Sequence, residues 1–353
     1  MDMMVRHTMN SHPHWLYALS LISLALSPAL LLTGCKPSQE PGVKAIVGAV
    51  LMDGTGGPPI SDSVVTIEGS RIRAVGNRAS LPVPADSDKI DGSGKFLVPG
   101  LIDLDVPLTT SGGRAGIERD LNRYGAIGVL SVLSAGGGDL AGVQQAERRD
   151  ELVTTRLFIL GLPAMRPDVA ELAGPGDAGN FMDEARKNRI PVFADIFSLA
   201  DARRALDSGV AGFLHMIRDT DAIDPAFIAR LRDLQVVFVP VLAEVSSPGE
   251  LVLAKRNTKR LADGGVLIGV GSGGDIHHEM DLLTEAGLSP AEVLVAATRN
   301  NALALRQSDQ LGSIEPGKRA DLLLVSANPA EDLRNVMAID RIMLNGQWVG
   351  VRR

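Results

Sequence analysis

Cysteine, histidine and aromatic residues are all scarce in this chain of 353 residues. It contains one cysteine, six histidines and 3% Phe, Trp and Tyr. A single thiol excludes an internal disulfide framework. The shortage of aromatic side chains argues against a surface that binds nucleic acids by stacking. The formal net charge of −7 points the same way, because neutralising phosphates requires a basic surface. We therefore expect no nucleic-acid partner.

The first 42 residues read as an export signal followed by a tether. Residues 15–34 form an apolar run that ends in small residues, and "LLTGC" follows the pattern of a bacterial lipobox. A secretory signal fits this run, while a spanning helix of about 20 residues is the alternative. Lipidation of Cys35 would explain the lone thiol. We predict a signal peptide over 1–34, a tether over 35–42, and a lipid-anchored protein of the bacterial cell envelope. Lys36 favours the outer membrane.

The two ends of the remaining chain are rich in strand patterns. Residues 43–100 and 310–353 alternate apolar and polar residues between Gly, Pro and Asp turns. Gly69-Ser70 marks one hairpin tip, and Asn345-Gly346 is a type I′ turn signal. We expect these two segments to form one composite domain.

The middle of the chain, residues 101–309, alternates short apolar runs with helical patterns. Such alternation predicts an α/β domain with a parallel sheet covered by helices. Seven apolar runs qualify as strands, one fewer than a closed (β/α)8 barrel needs. No apolar run occurs between residues 165 and 186, so the sequence predicts a gap where a fourth strand would lie.

Three motifs resemble the amidohydrolase superfamily, in particular its imidazolonepropionase-like and Xaa-Pro dipeptidase-like branch. They are "LVPGLID" at residues 97–103, "SPAEVLVAATRNNALAL" at 289–305 and "LGSIEPGKRADLLLVSANPAEDLRNV" at 311–336. The resemblance implies a TIM-like (β/α) barrel with a small β-sandwich built from both chain ends. It also implies hydrolysis of carbon–nitrogen bonds by one or two divalent metals at the barrel mouth.

Most metal-ligand positions of that superfamily hold other residues here. Its His-x-His places hold Asp105 and Pro107, and no lysine-bearing fourth strand is evident. Of the ligand histidines that the resemblance implies, only His215 on the sixth strand is kept. The fifth-strand histidine aligns with Phe193 or Ala194, and the eighth-strand aspartate aligns with Gly273.

A second group of polar residues follows the eighth strand in "SGGDIHHEMDLL". Ser272, Asp275, His277 and Glu279 are candidates for the wall of a barrel-mouth pocket. His278 is adjacent to His277, and neighbouring residues point apart, so the pair is a poor chelate.

Two functions remain open from the sequence. The favoured one is a degenerate amidohydrolase without metal, with a binding or structural role at the envelope. The alternative is an active hydrolase of cyclic amides or dipeptide-like substrates with a rebuilt mononuclear zinc site, drawn from Asp105, His215, and His277 or Glu279. Either could bind a small molecule and could assemble with itself or with a related amidohydrolase.

Overall fold

The computed structural model describes residues 42–109, 111–135, 139–173 and 178–350. The predicted signal run, the tether up to residue 41 and Cys35 lie outside these residues. Within the described part of the chain, no helix has the length and apolarity needed to cross a bilayer.

The described residues form nine helices and seventeen strands, numbered in chain order. The strands are β1 Lys44–Val47, β2 Val50–Leu51, β3 Ser63–Glu68, β4 Arg71–Asn77, β5 Asp88–Asp91, β6 Phe96–Pro99, β7 Leu101–Asp103, β8 Val129–Ala135, β9 Arg156–Gly161, β10 Val169–Leu172, β11 Val192–Asp195, β12 Gly212–Leu214, β13 Val237–Val239, β14 Leu267–Ile268, β15 Leu322–Val325, β16 Ile339–Leu344 and β17 Gln347–Val349. The helices are α1 Gly113–Ala126, α2 Leu140–Arg148, α3 Ala178–Asn188, α4 Leu199–Ser208, α5 Pro225–Asp233, α6 Pro248–Asp263, α7 Ile276–Glu285, α8 Pro290–Val295 and α9 Asn301–Ala304. A π-helical turn, Ala296–Asn300, joins α8 to α9.

Strands β7 to β14 form one sheet of eight parallel strands in chain order. Backbone hydrogen bonds join its two edges: Leu104 N donates to Val270 O at 3.0 Å, and Gly273 N donates to Asp105 O at 2.9 Å. Apolar side chains of the barrel strands, Ile102 among them, form a buried cluster that is separate from the other hydrophobic clusters of the protein. This is the TIM-like barrel that the sequence predicted.

The prediction of a missing fourth strand was wrong. Strand β10 pairs in parallel with β9 on one side and β11 on the other. Its sequence is Val-Ala-Glu-Leu, in which Glu171 interrupts the apolar residues, and the residues on either side add no longer apolar run. The other seven strands lie within such runs, and β10 therefore lacks the hydrophobic signal by which they were recognised.

The two chain ends build two smaller sheets. One has the order β4-β3-β1-β5 and the other has the order β17-β16-β15-β6-β2. A single buried cluster takes side chains from both sheets, including Ile46, Val65, Leu97 and Leu322. The turn between β16 and β17 is the two-residue one that Asn345-Gly346 predicts, with φ of 52° and 74° at the two residues.

Candidate functional site

Five polar side chains lie at or just beyond the C-terminal ends of five barrel strands. Active sites of such barrels form at this end, where the strands deliver side chains to a common mouth. The five are Asp105 after β7, Glu171 in β10, Asp195 at the end of β11, His215 after β12, and Glu244 in a 3-10 helix after β13. Four carboxyl groups and one imidazole therefore lie at the same end of the barrel.

His215 lies between two of these carboxylates. Its Nδ1 is 2.7 Å from Asp195 Oδ1, and its Nε2 is 3.1 Å from Glu244 Oε2. Burial lowers the pKa of His215, but the two hydrogen bonds and the nearby charges of Asp195 and Asp105 together outweigh burial and raise the pKa to about 8. Without a metal, the imidazole is therefore the counterion of the cluster near neutral pH.

The backbone at His215 is unusual and aims the ring into the mouth. Its φ is +63°, a left-handed conformation that few residues other than glycine adopt. The Phe197 ring lies 5.2 Å from the imidazole, and the guanidinium of Arg218 stacks on Phe197 at 4.3 Å. The histidine thus has an aromatic wall on one side and carboxylates at both ring nitrogens.

Asp105, His215 and Glu244 lie close enough together to hold one metal ion. Each offers one ligand atom, and these three atoms lie within 4.8 Å of one another. Burial raises the pKa of Asp105 to about 6, and the nearby Glu244 charge adds to this, so a cation would relieve the repulsion. Asp195 holds the other ring nitrogen of His215, as carboxylates commonly do for metal-binding histidines. The donor set fits one divalent metal.

Glu244 occupies the space that a side chain at position 273 would need. A Cβ added to Gly273 would lie 2.5 Å from Glu244 Oε1. The resemblance places the superfamily's eighth-strand aspartate at this position. A carboxylate is therefore present in that region, although it comes from the loop after the seventh strand.

Glu279 holds the segment that carries Glu244. Its side chain is fully buried, and its two oxygens accept hydrogen bonds from the backbone N–H groups of Leu242 at 2.9 Å and Ala243 at 2.8 Å. Burial raises the pKa of Glu279 to about 8, although both hydrogen bonds oppose the increase. This buried carboxyl group therefore holds the Leu242–Glu244 segment and does not line the mouth.

Asp103 and Ser272 form a buried clasp where the barrel closes. The Ser272 hydroxyl donates to Asp103 Oδ2 at 2.5 Å, and the Ser272 N–H donates to Oδ1 at 3.0 Å. Burial raises the pKa of Asp103 to about 7, opposed by these hydrogen bonds. The hydroxyl and the backbone N–H of Ser272 are thus both used to bind Asp103.

The remaining candidates from the sequence have other partners. Asp275 caps α7, where its Oδ1 accepts from His278 N at 3.1 Å. His277 Nε2 lies 3.1 Å from the carbonyl oxygen of Ile127, and burial lowers its pKa. His277 is not in the group of three that converges; Glu244 is the third member.

Sequence reasoning missed three carboxyl groups of the site: Glu171, Asp195 and Glu244. A signal existed for Asp195, because it lies two residues after the buried Phe193 and alternate residues of a strand share a face. No signal marked Glu244, since its position depends on a loop conformation.

Comparison with known proteins supports the resemblance of this chain to the amidohydrolase superfamily. Residues 184–349 match the model of the Amidohydrolase family. Imidazolonepropionase from Alkaliphilus metalliredigens is 21% identical over 87% of this chain and 97% of its own length. The imidazolonepropionase from Anaeromyxobacter dehalogenans is 26% identical over 80% and 88%.

Other matches are short. Adenine deaminase 1 from Latilactobacillus sakei is 42% identical, but over 18% of this chain and 11% of its own length. The match to imidazolonepropionase from Bacillus velezensis is 30% identical and spans 32% of that protein. For these two relatives the similarity thus concerns a minor part of the molecule.

Solved structures share the fold over nearly the whole described chain. Molinate hydrolase superposes with a TM-score of 0.76 at 20% identity, covering 88% of this chain and 95% of that one. A Xaa-Pro dipeptidase with bound methionine gives 0.74 at 18% identity, covering 87% and 100%. At these identities the likeness is one of fold alone.

Proposed function

We propose that this chain hydrolyses carbon–nitrogen bonds with one divalent metal held by Asp105, His215 and Glu244, and the match of residues 184–349 to the Amidohydrolase family model supports this. The observation that carries the proposal is the convergence of these three ligand atoms within 4.8 Å. The position of Glu244, beside the Gly273 backbone where the superfamily has an aspartate, supports it further.

Each side chain has a role that follows from its surroundings. A bound divalent metal lowers the pKa of water toward about 7 and polarises a carbonyl oxygen. Asp195 accepts a hydrogen bond from His215 Nδ1–H and so leaves Nε2 free to bind. Glu244, whose side chain is 48% exposed, is the group best placed to accept the proton of an attacking water.

The mouth suggests the kind of substrate. Phe197 is 41% exposed and offers an apolar surface next to His215. Arg218 stacks on that ring and is paired with Glu250 through its Nε at 3.2 Å. Its guanidinium could also bind an anionic group. We infer a cyclic amide or dipeptide-like substrate that presents an apolar part and a carboxylate.

Hydrolysis assays on dipeptides and cyclic amides test this function. We expect activity that chelator abolishes, that zinc restores, and that His215→Ala eliminates. His278→Ala is the matched control, because His278 is exposed, and it should leave activity unchanged. Activity that survives chelator and His215→Ala would overturn the proposal.

A second function, a metal-free binding protein, is favoured by one specific observation. Both ring nitrogens of His215 already have carboxylate partners, so the cluster has an internal counterion. In that case zinc would not bind, and small carboxylate or amine ligands would bind to protein that hydrolyses nothing. Titration calorimetry with zinc separates the two functions.

We also propose that Cys35 anchors the protein to the cell envelope through lipid. The "LLTGC" pattern supports this. Labelling of cells with a radioactive fatty acid should mark the wild-type protein and not Cys35→Ser. Equal labelling of both would overturn the proposal.

A further inference from the structure

The segment between β13 and α6 brings Glu244 to His215. Its polypeptide turns at Val241 and then forms the 3-10 helix Leu242–Glu244. This helix is one turn long, and only two of its own hydrogen bonds hold it: Glu244 N to Val241 O and Val245 N to Leu242 O. So short a turn needs external support to keep one conformation.

The conformation at Val241 is strained. Its φ is +47° and its side chain is completely buried. For a β-branched residue, a left-handed backbone is a genuine outlier that persists only where the surroundings enforce it. Without such enforcement the backbone would relax, and the direction of Glu244, three residues on, would change.

The carboxyl group of Glu279 provides the external support. It accepts both N–H groups of the turn that the 3-10 helix leaves without a backbone partner, those of Leu242 and Ala243. Glu279 is itself fixed, because it lies in the first turn of α7 beside the buried Ile276 and Met280. Two hydrogen bonds that the turn donates to Glu279 on α7 therefore restrain the strained backbone at Val241.

We propose that Glu279 is a positioning residue: its buried carboxyl group clamps the strained Val241 turn and thereby holds Glu244 opposite His215. This inference rests on the proposed function in assigning Glu244 as a metal ligand. Glu279 touches neither metal nor substrate, and it acts through Glu244.

The first test compares Glu279→Gln with wild type in the full chain, by titration calorimetry with zinc. Glutamine keeps the size but presents an amide NH2 to one of the two N–H donors, so one clamp hydrogen bond is lost. We expect zinc affinity to fall about 10- to 100-fold, as for other groups that orient metal ligands. Unchanged affinity would overturn the proposal.

Glu147→Gln is the matched control for mere loss of stability. Glu147 is also a buried carboxylate, 8% exposed, but it pairs with Arg156 at the start of β9, at the other end of the barrel. This variant should lose stability and keep its zinc affinity. An equal loss of affinity in both variants would show that destabilisation alone explains the effect.

A double-mutant comparison tests whether Glu279 acts through Glu244. In a Glu244→Ala background, Glu279→Gln should weaken zinc binding no further, because the ligand that it positions is already absent. Independent, multiplying losses would contradict the clamp.

A readout without metal keeps the inference separate from the proposed function. In metal-free protein, the ring proton shifts of His215 should change in Glu279→Gln as they do in Glu244→Ala, and stay constant in Glu147→Gln. If wild type binds no zinc but these shifts move together, the metal function fails and the clamp stands. If the shifts stay constant in Glu279→Gln, the clamp fails whatever zinc does.

Discussion

Adding one methyl group at Gly273 should disable the site without replacing any proposed ligand. In Gly273→Ala the new Cβ would lie 2.5 Å from Glu244 Oε1 and 3.0 Å from Glu244 Cγ. Real Cβ atoms do not come so close, so the glutamate must move. Because Glu244 is half-exposed and flexible, it yields by turning away from His215.

Gly273→Ala should have two effects that can be measured separately, a loss of folding stability and a loss of zinc affinity. Gly273 has φ of +63°, and placing an L-residue there costs about 1–2 kcal/mol of folding stability. Displacing Glu244 removes one of three ligands, since metal–ligand distances tolerate only about 0.2 Å. We expect zinc affinity to fall at least about 10-fold, comparable to the loss of an orienting group.

Gly274→Ala is the matched control for this experiment. Gly274 also has a positive φ, +131°, but a Cβ there would meet nothing closer than Pro107 and Tyr124 at 3.7 Å. It should therefore cost stability and leave zinc binding intact. Urea denaturation and zinc titration of both variants provide the two numbers. Wild-type zinc affinity in Gly273→Ala would refute the role of Glu244.

Three further predictions concern the buried acid groups and His215. Metal-free protein should lose stability as pH rises. The net rise in the pKa of His215, from about 6.5 unfolded to about 8 folded, corresponds to about 2 kcal/mol of stability. This contribution is fully present below pH 6.5 and is lost as pH rises through about 8. Burial also raises the pKa of Glu279 to about 8, which acts in the same direction. Denaturation at pH 5 and pH 9 would show the difference, and equal stability at both would count against these pKa values. Asp195→Asn should lower the pKa of His215 and weaken zinc binding about 10- to 100-fold. NMR titration would report the pKa and calorimetry the zinc affinity. An unchanged pKa of His215 would contradict the contact of Asp195 with Nδ1. Ser272→Ala should lower folding stability by about 1–3 kcal/mol, because the buried Asp103 loses a hydrogen-bond donor, and zinc affinity should stay at the wild-type value. A loss of zinc affinity without a loss of stability would disprove the clasp.

Local chemistry made parts of this fold predictable from sequence. Asn345-Gly346 specifies its turn because both residues tolerate positive φ, and the seven long apolar runs each contain a barrel strand. Strand β10 escaped notice since its pairing, and not its composition, makes it a strand. Tertiary contacts supplied what the four residues could not show.

The candidate site was only partly predictable for a related reason. Asp105 and His215 follow recognisable strands, so their place at the mouth could be expected. Glu244 reaches the same point through a left-handed turn at Val241 and a clamp from α7. Neither a strained backbone nor a contact 37 residues apart leaves a periodic pattern in the sequence.

The metal content of the protein tests the central claim most directly. Elemental mass spectrometry would be run on protein purified without chelator, before and after incubation with zinc and desalting. The account predicts about one divalent metal per chain in wild type and a loss of it in both His215→Ala and Glu244→Ala. Protein that folds, contains no metal and retains no zinc would contradict it and leave the metal-free binding protein as the better description.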